Sequence, residues 1–167
     1  TPTPTIRVTP TPIPTPVGQT TSVIQLSATT GQDTFLYKAG PTSVYGANPV
    51  LSIGEYNLAA GNVRRSLVKF NLAGIPSNAT VVDARLSLKI STDAANNGGT
   101  MRVFRVKKPW LSASATWNAA STGVLWQTPG AFGVDDTEQT AIASAPFVAN
   151  EIIGKEMVWS LTPSRVQ

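Results

Sequence analysis

Residues 82–90 read Val-Asp-Ala-Arg-Leu-Ser-Leu-Lys-Ile, and their alternation decides the fold class. Val82, Ala84, Leu86, Leu88 and Ile90 share one parity, while Asp83, Arg85, Ser87 and Lys89 hold the other. Successive side chains of a strand point to opposite faces, so this period of two over nine residues predicts a strand with an apolar inner face.

The same grammar extends outward. Upstream, residues 75–80 (IPSNAT) read as a turn, and residues 64–72 (RRSLVKFNL) as a strand with Val68, Phe70 and Leu72 on one face. Residues 50–56 (VLSIGEY) predict a short strand, residues 33–38 (DTFLYK) another, and residues 21–29 (TSVIQLSAT) a first one before a turn at Thr30-Gly31-Gln32. Downstream, Asn96-Asn97-Gly98-Gly99 is a strong turn signal leading into a strand over residues 100–106. Residues 107–133 hold Trp110, Trp117 and Trp126 with little periodicity and read as a long packed loop. A further strand is expected over residues 141–148, and residues 155–161 close the series with Met157, Trp159 and Leu161 alternating. Many short strands with turns between them predict an all-β protein, a jelly-roll-type β-sandwich over residues 21–167. Residues 1–20 form a separate unit, a Thr/Pro-rich extended tail.

Composition narrows the class. Glycine and proline number 13 each, charged residues make up only 13% of the 167 residues, and cysteine is absent, which suits a surface or secreted protein held together by packing alone. No run approaches the roughly 18 apolar residues of a membrane span, and Thr1 is read as a processed end. The net charge of +4 comes from 13 basic and 9 acidic residues. Basic groups concentrate only at Arg64, Arg65, Arg102, Arg105, Lys107 and Lys108, without the dense stripe and interleaved aromatics of a nucleic-acid binder.

The chain has no histidine, which removes the Ser-His-Asp triad, the Cys-His pair and the common His zinc sites. Asp33, Glu55, Asp135, Asp136, Glu138, Glu151 and Glu156 supply carboxylates, but no pair falls in a glycosidase-like motif, so no enzymatic activity and no cofactor are expected. Asp135, Asp136 and Glu138 are a weak calcium candidate beside the plainer reading of a polar turn, since the EF-hand spacing and its glycine are missing. Among the aromatics, Trp117 reads as core, whereas Tyr45 and Trp126, in loops, are the candidates for stacking on a sugar ring, with loop anchoring as the competing role. Asn78-Ala79-Thr80 is a glycosylation sequon. Thr3, Thr5, Thr9, Thr11 and Thr15 are candidate O-glycan acceptors.

The tail has its own pattern. Pro2, Pro4, Pro10, Pro12, Pro14 and Pro16 all fall on even positions, and Ile6 and Val8 keep that parity where the repeat breaks. In an extended strand this gives one wholly apolar face and places every missing proline donor on a single edge, which suits an edge strand. A solvated polyproline-II linker is the other reading.

Residues 33–57, 64–90 and 101–118 together resemble the DNRLRE domain, or disaggregatase-related repeat, and residues 156–167 (MVWSLTPSRVQ included) resemble that family's late region, with Leu161-Thr162 at the matching place. The resemblance implies a non-catalytic extracellular β-sandwich, with some relatives classed as carbohydrate-binding modules. Family members continue into one more strand, whereas this chain stops at Gln167. The expectation is therefore an extracellular or cell-surface structural subunit that polymerises with identical copies, its tail entering a neighbouring sandwich. Ile6, Val8, Ile13 and Val17 are the expected donor contacts. Met157, Val158, Trp159, Ser160 and Leu161 are the expected acceptor strand. The alternative is a carbohydrate-binding module whose partner is a polysaccharide and whose tail is a linker. Neither reading involves nucleic acid or a membrane span.

Overall fold

A computed structural model of the chain describes residues 18–55, 61–91 and 98–166. The expectations for residues 1–17, which include Ile6, Val8, Ile13, Val17 and the five candidate threonines, lie outside the described residues, as do Tyr56, Asn96 and Asn97.

The described residues form an all-β sandwich. In chain order the strands are β1 (Gly31–Tyr37), β2 (Gly54–Glu55), β3 (Val63–Phe70), β4 (Ala84–Lys89), β5 (Gly99–Val103), β6 (Ala119–Ser121), β7 (Val124–Leu125), β8 (Ala143–Phe147) and β9 (Glu156–Leu161), followed by a 3-10 turn over Pro163–Arg165. One layer has the order β1-β3-β2, and β4-β9 and β5-β8 are antiparallel pairs. The hairpin β6-β7 lies in the tryptophan-rich segment.

The alternating stretch becomes β4, with Leu86 opposite Trp159 and Leu88 opposite Met157. Leu86, Met157, Trp159 and Ala145 form a buried cluster against which Val68, Phe70, Met101 and Val103 pack. Fully burying such a side chain is worth about 1.5–3 kcal/mol, so this cluster is what joins the layers. The Trp159 indole N–H donates to the Met101 carbonyl at 3.3 Å, satisfying the one polar atom carried inside. A second cluster gathers Leu36, Leu67, Trp110, Trp117, Ala120 and Trp126 on the other side of the β1-β3 sheet.

Several expected boundaries move. Val82 is exposed rather than inward-facing, because β9 ends opposite Ala84 and Pro163, which lacks an N–H, turns the partner strand away. Residues 21–29 form no strand, and Val23 is 90% exposed. The turn expected at Thr30-Gly31-Gln32 falls earlier: the Thr30 and Gly31 N–H groups donate to the Ser27 carbonyl, and Gly31 opens β1. A Cβ at Gly31 would meet the Lys69 carbonyl at 2.2 Å, so only glycine fits there. β5 stops at Val103, and beyond it an isolated bridge joins Val106 to Thr137. The hairpin β6-β7 was unexpected, and Gly123 with φ 74° closes it.

The edges of β3 differ. The Val63 carbonyl accepts from Lys38 N–H and the Asn71 N–H donates to Thr30, so odd-numbered residues turn their main-chain groups toward β1. Even-numbered residues face the opposite edge. There β2 pairs only with Val63 and Arg64, and Ser66 contributes only its hydroxyl, donating to the Ser52 carbonyl at 3.0 Å. Among the described residues, the main-chain groups of Ser66, Val68 and Phe70 have no partner on that edge.

Candidate functional site

The end of β1 and the loop after it gather a cluster of aromatic and polar side chains. Tyr37 closes β1, and the chain then folds through main-chain bonds from Gly40 to Tyr37 (3.2 Å), Ser43 to Gly40 (3.0 Å) and Asn48 to Tyr45 (3.0 Å). This brings Tyr45 flat onto Phe35, with ring centroids 4.2 Å apart and planes 19° apart. Tyr37 meets Tyr45 edge-on at 6.4 Å. Cross-strand register places Arg64 opposite Tyr37, and its guanidinium lies 4.5 Å from the ring centroid. The Tyr37 hydroxyl donates to Asn62 Oδ1 at 2.8 Å.

Phe35 is buried and serves as the floor, whereas Tyr37, Tyr45, Asn62 and Arg64 remain partly exposed. The loop is fixed from behind. Asn118 N–H donates to the Pro41 carbonyl at 3.2 Å, Ser112 N–H donates to Gln32 Oε1 at 2.8 Å, and Gly46 packs directly on the Ser112 backbone. A held aromatic ring beside a guanidinium and an amide offers an apolar face and hydrogen-bond donors together, the combination used to orient small polar ligands.

Trp126 does not share this surface. It is 4% exposed, and its indole N–H donates to the Thr116 carbonyl at 3.0 Å, so no face is free for a sugar ring in this conformation. Trp110, Trp117 and Trp159 are buried as well. Of its two expected roles, the packing of Trp126 matches loop anchoring: the segment around it is loop by periodicity and covers the Leu36–Leu67 core.

The acidic residues have other work. Asp136 is fully buried; it accepts from the N–H groups of Gln127 (2.8 Å), Thr128 (2.9 Å) and Gly133 (3.1 Å) and pairs with Lys108 at 3.1 Å. Burial pushes its carboxyl up, but those N–H groups and Lys108 together hold it below the usual carboxylate range. Gln127 Nε2 bonds Asp135 at 2.8 Å, and Glu138 pairs with Arg105 and Arg165. Among the described residues no three His, Cys, Asp or Glu side chains gather to hold a metal ion. Glu151 is likewise held low by Lys155 and the Val148 N–H.

A cleft of about 230 Å³ lies between the layers, lined by Leu51, Ile53, Leu86, Met101, Phe132 and Trp159 among others. Arg65 stands at its wall, its guanidinium over Trp117 and Phe132 at 5.1 and 4.8 Å from the ring centroids. Its Nη1 donates to the Gly130 carbonyl at 2.8 Å. Burial lowers its pKa, and among the described residues no carboxylate pairs with it.

Of the expected acceptor strand, Met157 and Trp159 point into the core, while Val158 and Ser160 are exposed. β9 is paired with β4 along its whole length, and beyond it Thr162 N–H reaches the Ile142 carbonyl at 3.3 Å. Asn78 is exposed in a turn.

The model of carbohydrate-binding module family 96 matches residues 24–139, more than half of the chain. The chain belongs to carbohydrate-binding module family 96. Of what the resemblance to the DNRLRE domain implies, the family match carries the carbohydrate-binding module. No curated protein and no solved structure matches the chain. The family 96 match contains Phe35, Tyr37, Tyr45, Arg64 and the tryptophan-rich loop, and it leaves residues 1–23 and the strands β8 and β9 outside. No helix among the described residues is long and apolar enough to cross a membrane.

Proposed function

We propose that the chain is a non-catalytic, extracellular or cell-surface module that binds a polysaccharide through the surface formed by Tyr45, Tyr37, Asn62 and Arg64. The observation that carries this reading is the stack of Tyr45 on Phe35 at 4.2 Å, in a chain of a carbohydrate-binding family. Phe35 holds the tyrosine ring in place before a ligand arrives, so a sugar ring stacking on it orders no side chain and loses little entropy. Arg64 and Asn62 stand within the same surface to bond ring hydroxyls or acidic substituents. The test is affinity electrophoresis of the full chain against one neutral and one anionic polysaccharide. Retardation by at least one of them that Tyr45→Ala abolishes supports the reading. Equal retardation of the wild type and Tyr45→Ala overturns it.

A second reading, assembly of copies into a filament by strand exchange, is favoured by one observation, the outer edge of β3, which lacks a partner among the described residues. Filaments seen by electron microscopy for the full chain and absent for an Ile6→Asp/Val8→Asp variant would support it. Filaments in both would remove it.

A further inference from the structure

The open edge of β3 and the interlayer cleft lie side by side. Ser66 and Val68, whose main-chain groups face that edge without a partner among the described residues, also line the cleft. Its far wall is apolar: Leu86, Met101, Val103 and Trp159 come from β4, β5 and β9. Leu51 and Ile53 flank its mouth, and Ile53 is 49% exposed. β2 reaches only Gly54, whose φ of 114° turns the chain away before it can cover the rest of the edge.

An unpaired strand edge beside an apolar slot is the arrangement used in strand addition, where main-chain bonds hold the incoming segment and a slot receives alternate side chains. We propose that this site takes an additional strand, and that its occupant is the segment of this chain spanning residues 5–9, Thr-Ile-Arg-Val-Thr. The proposal does not rest on polysaccharide binding, which uses the other end of β1.

Three properties fit that segment to the site. Its register is right: prolines in residues 1–17 occupy even positions only, so the odd residues Thr5, Arg7 and Thr9 keep N–H groups on one edge. The even edge, where prolines donate nothing, faces away from β3. Two-residue spacing on the segment thus meets the two-residue spacing of Ser66, Val68 and Phe70. Its apolar content is right: Ile6 and Val8 share one face and enter the cleft together. At about 230 Å³ the cleft exceeds the roughly 150 Å³ apolar cavity that accepts a benzene. Its place in the chain is right as well, since residues 1–17 lie outside the described part and lead toward β1, the strand beside β3.

The test is site-resolved amide hydrogen exchange on the full chain. The expected result is slow exchange at Ser66, Val68 and Phe70, accelerated about 100-fold in Ile6→Asp/Val8→Asp, as loss of two or three hydrogen bonds implies. Leu67 and Lys69, bonded to β1, keep their rates and report that the sandwich remains folded. Arg7→Pro removes one donor and leaves both aliphatic side chains, and is expected to accelerate the same amides about 10-fold. Fast exchange at Ser66, Val68 and Phe70 in the full chain overturns the proposal, and so does slow exchange that neither variant changes.

Discussion

Gly46 lies so close to Ser112 that a Cβ on the glycine would sit 2.1 Å from the serine carbonyl oxygen. That contact seats the Tyr45 loop on the tryptophan-rich loop, and backbone on both sides leaves nothing flexible to yield. Gly46→Ala is therefore expected to destabilise the chain by about 1–3 kcal/mol, the usual cost of overpacking. It should also weaken polysaccharide retardation by displacing Tyr45. Gly74→Ala, where a Cβ meets nothing within 4 Å, is the control and should leave stability within about 1 kcal/mol. Urea unfolding midpoints compare the two.

Arg65 binds the loop at residues 130–132 to β3 from inside. Its hydrogen bond to Gly130 and its place over Trp117 and Phe132 tie segments far apart in sequence. A hydrogen bond to a charged group contributes about 1.5–3 kcal/mol and a cation over an aromatic ring about 0.5–1. Arg65→Ala should cost about 2.5–5 kcal/mol on those figures. Arg65→Lys keeps the charge but loses the planar fork, and should fall between. Chemical denaturation of the three proteins at one salt concentration gives the order.

How far the sequence carried this depends on the element. The strand at residues 82–90 was legible because one face is apolar and one charged, and a period of two has a single structural meaning. Residues 21–29 carry the aliphatic Val23, Ile24 and Leu26, yet no strand forms, because apolar β-formers mark a segment that suits pairing and do not supply a partner. The tryptophan-rich segment reads as a packed loop for want of a period, which leaves Trp126 two roles, sugar stacking or loop anchoring. Periodicity does not choose between them, and Trp126 is buried because irregular segments can cap a core as well as strands can. Tyr45 was legible as a loop aromatic; its seat on Phe35 was not, since that depends on how a 38–49 loop folds back. The β3 edge without a partner among the described residues was invisible, because it follows from where β2 stops.

Trp126 separates folding from binding. Trp126→Phe keeps a ring in the core and removes the donor to the Thr116 carbonyl, leaving a buried acceptor unmet at about 1–3 kcal/mol. Trp126→Ala should lose about 3–5 kcal/mol. Because the indole is closed to solvent, Trp126→Phe is expected to retain polysaccharide retardation at temperatures where it stays folded. Thermal unfolding and affinity electrophoresis of the same sample measure both quantities, and a folded Trp126→Phe that no longer binds would place the sugar elsewhere.

Asp136 makes stability depend on acid. Its folded-state carboxyl lies below the ordinary value, which is about 3.9 for an aspartate in an unfolded chain. The unfolded state therefore binds the proton first as pH falls, and stability drops through the range between the ordinary value and the lower folded one. Above that range the contribution is fully present. Glu151, also held low, adds to the slope in the same sense. Asp136→Asn removes the charge facing Lys108 and turns an N–H₂ group toward donors that need an acceptor, so a loss of about 3–5 kcal/mol at neutral pH is expected, as for a broken buried pair. The variant should also show a shallower acid limb, because the group that titrated is gone. Urea unfolding across pH 2 to 7, a window set by carboxylate titration, measures both. An acid limb equally steep in the wild type and Asp136→Asn would mean that other carboxylates govern acid unfolding.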